Sequence, residues 1–249
     1  MSFRGLAGTL AGELMELMHR GIHEPLSDRE FNDFALRVFR FQCRMNQAYA
    51  GFVARRGVDP DQVGRWEAIP FLPARAFKTT RLLSGDPADV EVVFRTSGTT
   101  AGAQARGEHH VLSRALYRES LLSNFAAHLI PDLLPAAPAA GGFPKKKPPI
   151  TILCLLPSPD TVPDSSLSFM MGTVVDAYGN GDSGFFVGPG GEIEGDAFFR
   201  ALTGVSAQGP PVLVVGTAFA FVGWMEVAEE RGYRVSLPEG SRIMETGGY

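Results

Sequence analysis

Five consecutive residues, Thr96-Ser97-Gly98-Thr99-Thr100, have the composition needed to hold an anion. Small side chains let backbone N–H groups approach a phosphate, and hydroxyls add donors that rotate to fit. Gly98 permits turns that a Cβ would block. The segment follows an apolar strand-like run and precedes a helical pattern by about a dozen residues. That spacing predicts a strand-to-helix crossing with the turn at the carboxyl edge of a sheet, where α/β ligands usually bind. It is not a Walker A loop, because GxxxxGK[ST] is absent and no lysine lies inside it. The same composition also makes a plain polar turn whose hydroxyls bond water.

The remaining chemistry-bearing residues give weaker signals. His109-His110 can orient a phosphate or a carboxylate, or can simply belong to a polar loop before the next helix. Gly179-Asn180-Gly181-Asp182-Ser183-Gly184 matches GxGxxG but follows a helical pattern rather than a strand, so a turn is expected and not a dinucleotide fingerprint. No HRD or DFG triplet and no GxSxG elbow occurs. No His/Cys/Asp grouping has metal-ligand spacing. Of the two cysteines, Cys43 falls in a helical pattern and Cys154 in an apolar strand, where a thiol is core.

The elements that must position these residues alternate in type. Leu6, Leu10, Leu14 and Leu17 sit at helical spacing over 5–19. Ser27-Asp28-Arg29-Glu30 reads as a helix start, and the apolar face through Phe31, Phe34, Ala35, Val38, Phe39, Phe41 and Met45 predicts one long amphipathic helix to about Ala54. These helices form an expected N-terminal segment over residues 1–60. Prolines 60, 70 and 73 keep any following element short. A strand is expected at Val90–Phe94 and a helix from near Ser113. Residues 131–149, rich in Pro and Ala and including Lys145-Lys146-Lys147, read as an exposed connection. Strands at 150–156, 211–215 and 242–245 then alternate with helices at 165–178, 195–205 and from Gly216-Thr217 to about Arg231. That pattern predicts an α/β domain over 61–249 with a mostly parallel sheet and flanking helices.

The phosphate-type turn resembles TSGTTGxPK of the adenylate-forming superfamily of acyl- and aryl-CoA synthetases. Its surroundings are more similar to the LuxE-type acyl-protein synthetases, the branch named for bioluminescence. Four further stretches carry that resemblance in the family's order: Ile69–Pro73 with Phe77-Lys78, Ser165–Met170, Asp182–Phe185 and Glu245–Gly248. The likeness runs from about residue 65 to the end and implies part of the large N-terminal domain of an adenylate-forming enzyme. The implied reaction is ATP-dependent: a fatty-acid carboxylate attacks the α-phosphate of Mg-ATP, and the acyl group of the resulting acyl-adenylate passes to a protein thiol. Such chemistry rests on positioning and charge neutralisation.

By the same resemblance Thr96, Ser97, Gly98, Thr99 and Thr100 cradle the phosphates. Gly102 stands one place later than the family's glycine, Gln104 falls near its usual lysine, and Arg106 supplies the cation. Gly247 and Gly248 match a glycine pair lining the adenine pocket. Gly216, Thr217 and Phe219 stand where relatives bind the acyl group, with Phe221 and Trp224 either lining an apolar tunnel or forming ordinary core. The acylated cysteine of the branch is carried onto neither Cys43 nor Cys154, and the catalytic residues remain unassigned. Mg²⁺ is expected to arrive with the nucleotide. The family pattern continues past Tyr249, which implies a truncated chain or a partner that supplies the rest, with exposed apolar surface and oligomer formation.

The expected partners are a fatty or other carboxylic acid and an acyl-acceptor or acyl-donor protein. A net charge of −4 argues against nucleic acid or an anionic membrane. No apolar run approaches bilayer length, and the N-terminus lacks signal-peptide layout, so a cytoplasmic enzyme is expected. The alternative of a different class is a non-catalytic α/β module that binds a nucleotide or a protein.

Overall fold

The computed structural model describes residues 3–21, 24–96, 106–133, 150–205 and 208–247, and the chain divides into two compact units, Met1–Ala127 and His128–Tyr249. The boundary expected near residue 60 falls inside the first unit. Most of the connection at 131–149 lies outside the described residues.

The first unit opens with α1 (Phe3–Arg20), α2 (Asp28–Met45) and α3 (Gln47–Arg55). The α2 start is fixed by a reciprocal capping box. The Ser27 hydroxyl accepts from the Glu30 N–H at 3.3 Å, and the Glu30 carboxylate accepts from the Ser27 N–H at 2.8 Å. Both orphan donors are thereby satisfied. Ser27→Ala is expected to lower the stability of this unit by about 1 kcal/mol, read as a lower urea midpoint.

The single long helix expected to Ala54 is broken at Asn46, whose backbone is extended (φ −110°, ψ 98°). Its side-chain oxygen accepts the Tyr49 N–H at 3.0 Å and caps α3. A short amide that bonds nearby backbone competes with helix continuation, and at this position it wins. Beyond the break, Val53 packs with Leu36, Phe39 and Val63 in a small core.

A short helix, α4 (Ala76–Thr79), precedes β1 (Val92–Arg95) and β2 (Glu108–Val111), and α5 (Arg114–Leu129) follows. β1 and β2 pair antiparallel, Phe94 opposite His109 and Arg95 opposite Glu108. This corrects the expected strand-to-helix crossing: the Thr/Ser/Gly turn joins two strands of a hairpin. Glu108-His109-His110-Val111 lacks an apolar alternation, so long-range pairing, not local pattern, makes it a strand.

The second unit holds a parallel four-stranded sheet in the order β4-β3-β5-β6, formed by β4 (Gly184–Phe185), β3 (Thr151–Leu155), β5 (Val212–Thr217) and β6 (Arg242–Thr246). The helices α6 (Ser166–Tyr178), α7 (Gly195–Gly204) and α8 (Ala218–Glu230) connect the strands. The α/β reading with a parallel sheet and flanking helices is thus found in this unit. β3 is buried along its whole length, as two covered faces require. On one face Leu153, Leu155, Val212 and Val214 pack against Phe198 and Leu202 of α7, with Phe221 and Trp224 of α8 alongside. The helix α6 buries Met171 and Val174, and the right-handed crossover that parallel strands adopt almost without exception calls for it on the other face.

Among the described residues no helix is long and apolar enough to cross a membrane.

Candidate functional site

The hairpin neck of the first unit is closed by side chains that the sequence had marked. The Thr96 N–H donates to Gly107 O at 3.0 Å, and the Gly107 N–H returns a bond to Thr96 Oγ1 at 2.9 Å. Arg106 Nε donates to Thr96 O at 2.6 Å, and an Arg106 Nη donates to Arg95 O at 3.5 Å. A cross-strand pair, Arg95 with Glu108 at 3.1 Å, braces the next position. Arg106 therefore ties the two ends of the turn together. Ser97, Gly98, Thr99, Thr100 and Gly102 lie outside the described residues.

Gly107 is a residue that sequence reasoning did not single out. A Cβ there would meet Phe77 O at 3.2 Å and Lys78 Cγ at 3.3 Å, so the hairpin neck lies directly against α4. His109 stacks on Phe77 with ring centroids 4.2 Å apart and secures the same contact. Its neighbour His110 faces the opposite side of β2 and is only 7% exposed. Neither ring nitrogen of His110 makes an aligned hydrogen bond among the described residues, although Nε2 lies 3.4 Å from a Glu108 oxygen. The histidine pair thus anchors the strand through both of its faces. The available signal was their alternation on a strand, legible only once β2 is known to be one.

In the second unit the predicted residues converge on the carboxyl edge of the parallel sheet. Gly216 and Thr217 end β5, opposite Glu245 and Thr246 of β6, and Gly247 follows at once. The structure so brings three of the residues marked in this half, Gly216, Thr217 and Gly247, to adjacent strand ends, while Gly248 lies outside the described residues. Chain order reverses between β3 and β5, since β4 lies to one side of β3 and β5 to the other. That reversal is the switch point at which open α/β sheets form ligand crevices.

Local chemistry fixes this edge. Thr217 Oγ1 accepts the Ala220 N–H at 3.2 Å and caps α8. The Thr246 hydroxyl donates to Gly216 O at 3.4 Å. A Cβ on Gly216 would stand 3.0 Å from Leu155 Cβ and 3.2 Å from the Phe221 ring, so a larger residue there would push against α8. Phe221 and Trp224 pack into the sheet core, whereas Phe219 is 65% exposed. The three aromatics do not share one apolar tunnel.

The GxGxxG segment is accounted for structurally. Asn180 N–H donates to Ile150 O at 3.0 Å, and Ser183 Oγ accepts the Ile152 N–H at 2.9 Å. These bonds pin the turn to β3 and lead it into β4. Cys154 is fully buried, and burial pushes its thiol up to about 12. It is core and not a nucleophile. Among the described residues no group of three or more His, Cys, Asp or Glu is placed to hold a metal ion.

Comparison of the chain with protein-family models, with curated proteins and with solved structures yields no match.

Proposed function

We propose that the protein activates a fatty acid with ATP, as an acyl-adenylate, for transfer to a protein thiol. The observation that carries this reading is the pairing of β1 with β2 on either side of the Thr/Ser/Gly segment. Its ends are clamped by the reciprocal Thr96–Gly107 bonds and by Arg106, and the hydroxyl-rich segment spans the gap between them. A clamped neck limits the entropy lost when a turn closes on an anion.

In this reading Thr96, Ser97, Gly98, Thr99, Thr100 and Gly102 donate to the nucleotide phosphates, with Arg106 setting the shape of the turn as well as its charge. Mg²⁺ enters bound to the nucleotide and shields the phosphate charge. Gly216, Thr217 and Phe219 are assigned to the acyl group, and Gly247 and Gly248 to adenine. The convergence of Gly216, Thr217 and Gly247 on one sheet edge supports that assignment.

The test is a calorimetric titration of the full chain with Mg-ATP, repeated on a Ser97→Ala, Thr99→Ala double variant. Hydrogen bonds to a charged group contribute about 1.5–3 kcal/mol each. Removing two donors should therefore weaken binding roughly a hundredfold or more. Unchanged affinity would remove the basis of the proposal. Pyrophosphate exchange into ATP that depends on added fatty acid separates activation from binding alone. Tight ATP binding without such exchange would point to a nucleotide-binding module.

A further inference from the structure

Two adjoining cavities in the first unit have complementary walls. The larger, about 910 Å³, is bounded by Leu14 and Leu17 of α1, Phe34 and Val38 of α2, and Ile69 and Phe77 beyond α3. No charged side chain lines it. Its few polar groups are engaged with the protein. Asn46 caps α3, the Tyr49 hydroxyl donates to Pro70 O at 2.9 Å, and the Ser84 hydroxyl donates to the Gln42 side-chain oxygen. A space of this size with such walls suits an aliphatic body.

The smaller cavity, about 410 Å³, shares Leu72 and Leu82 with the larger one, so the two meet there. Its character is opposite. Arg55 and Arg75 line it together with Gln47, Thr79 and Thr80, and no carboxylate does. Among the described residues neither guanidinium is paired with an acidic side chain, although the chain has more acidic than basic residues overall. Arg55 and Arg75 are exposed side chains, and two such cations beside an uncharged, open apolar groove fit a single alkyl chain ending in an anion. An arginine fork recognises a carboxylate by paired N–H bonds.

We propose that the first unit binds a long-chain fatty carboxylate, with its alkyl chain between α1 and α2 and its carboxylate at Arg55 and Arg75. The walls themselves carry this inference, and it does not rest on the proposed activity. It places an acyl-chain site in the helical unit, separate from Gly216, Thr217 and Phe219.

The experiment titrates the full chain, without nucleotide, with dodecanoate and decanoate below their micellar concentrations and with 1-dodecanol below its solubility limit. Each methylene removed from the chain should weaken binding roughly fourfold, so decanoate, two methylenes shorter, should bind roughly fifteenfold more weakly than dodecanoate. An Arg55→Gln, Arg75→Gln double variant should lose at least about tenfold for dodecanoate and leave 1-dodecanol unchanged. Ala35 lines the larger cavity, so Ala35→Trp should weaken both ligands, and the milder Ala35→Leu should do so to a smaller degree.

No binding by the unmodified chain overturns the proposal. So does binding that survives both Ala35 variants, or binding that Phe219→Ala abolishes. Equal losses of dodecanoate and 1-dodecanol in the arginine variant would remove the carboxylate from Arg55 and Arg75. Because nucleotide is absent, these outcomes are independent of whether the phosphate turn binds ATP.

Discussion

Phe198→Ala is expected to destabilise the second unit by about 3–5 kcal/mol, the range for deleting a fully buried ring. The ring is 1% exposed and central to the α7/α8 face of the sheet. It meets Trp224 edge-to-face at 4.8 Å and lies 5.3 Å from Phe186. Removing it opens a void beneath two helices and deletes two aromatic contacts at once. Leu153, Leu155, Val212 and Val214 belong to a sheet fixed by hydrogen bonds and cannot move in to fill the gap. The measurement is urea unfolding followed by Trp224 fluorescence in a Trp66→Phe background, since Trp66 belongs to the first unit. Phe199 is a natural control. It stacks on Tyr233 at 3.7 Å away from this core and should cost markedly less. A loss below about 1 kcal/mol for Phe198→Ala would show that the α7/α8 face is not packed as described.

This face also shows which parts of the fold were legible in the sequence. Buried strands such as Thr151–Leu155 and Val212–Thr217 are apolar runs bounded by Pro and Gly, and α6, α7 and α8 follow each with the expected period. Local pattern suffices where both faces of a strand are covered. It failed at β2, because Glu108 and His109–Val111 owe their strand to partners in β1 and to Phe77. It failed again at Asn46, where one side chain outweighs a continuous apolar face. At the candidate site, residue types could be read but not their placement. Parallel pairing sets Gly216 and Thr217 beside Thr246 and Gly247, and nothing local encodes that register. The two cavities of the first unit were invisible for a similar reason. The apolar face of α2 reads as core whether its neighbours fill the space or leave it open.

Raising the pH should destabilise the second unit through Cys154. Its thiol is pushed up to about 12 by burial, well above the value of about 8.5 for an exposed thiol. The native state therefore retains the proton over a range in which the unfolded chain loses it. Stability contributed by the protonated thiol is fully present below about pH 8.5 and falls as pH rises toward 12. The slope is about 1.4 kcal/mol per pH unit, or about 2 kcal/mol lost by pH 10. Cys154→Ala should flatten this slope between pH 8.5 and 10, although it lowers stability at neutral pH by leaving a small void. The readout is again Trp224 in urea, at half-unit steps of pH. Equal slopes for the two proteins would mean that water reaches the thiol in the folded state. In the same experiment the native thiol should resist alkylation at pH 8, because a buried, protonated sulfur offers almost no nucleophile.

The strand order has a kinetic consequence. β3 cannot complete its central pairing until α6, β4 and α7 have all been traversed, because Thr151 must find Val212 and Leu155 must find Gly216. In the first unit α2 and α3 pack mainly on each other, close along the chain, and such local structure forms in far less time than a parallel ladder closed across long loops. During synthesis and refolding the first unit is thus set to finish early, while the apolar strands of the second wait unpaired. For that interval their defence against sticking to one another lies with chaperones and dilution rather than with the finished architecture.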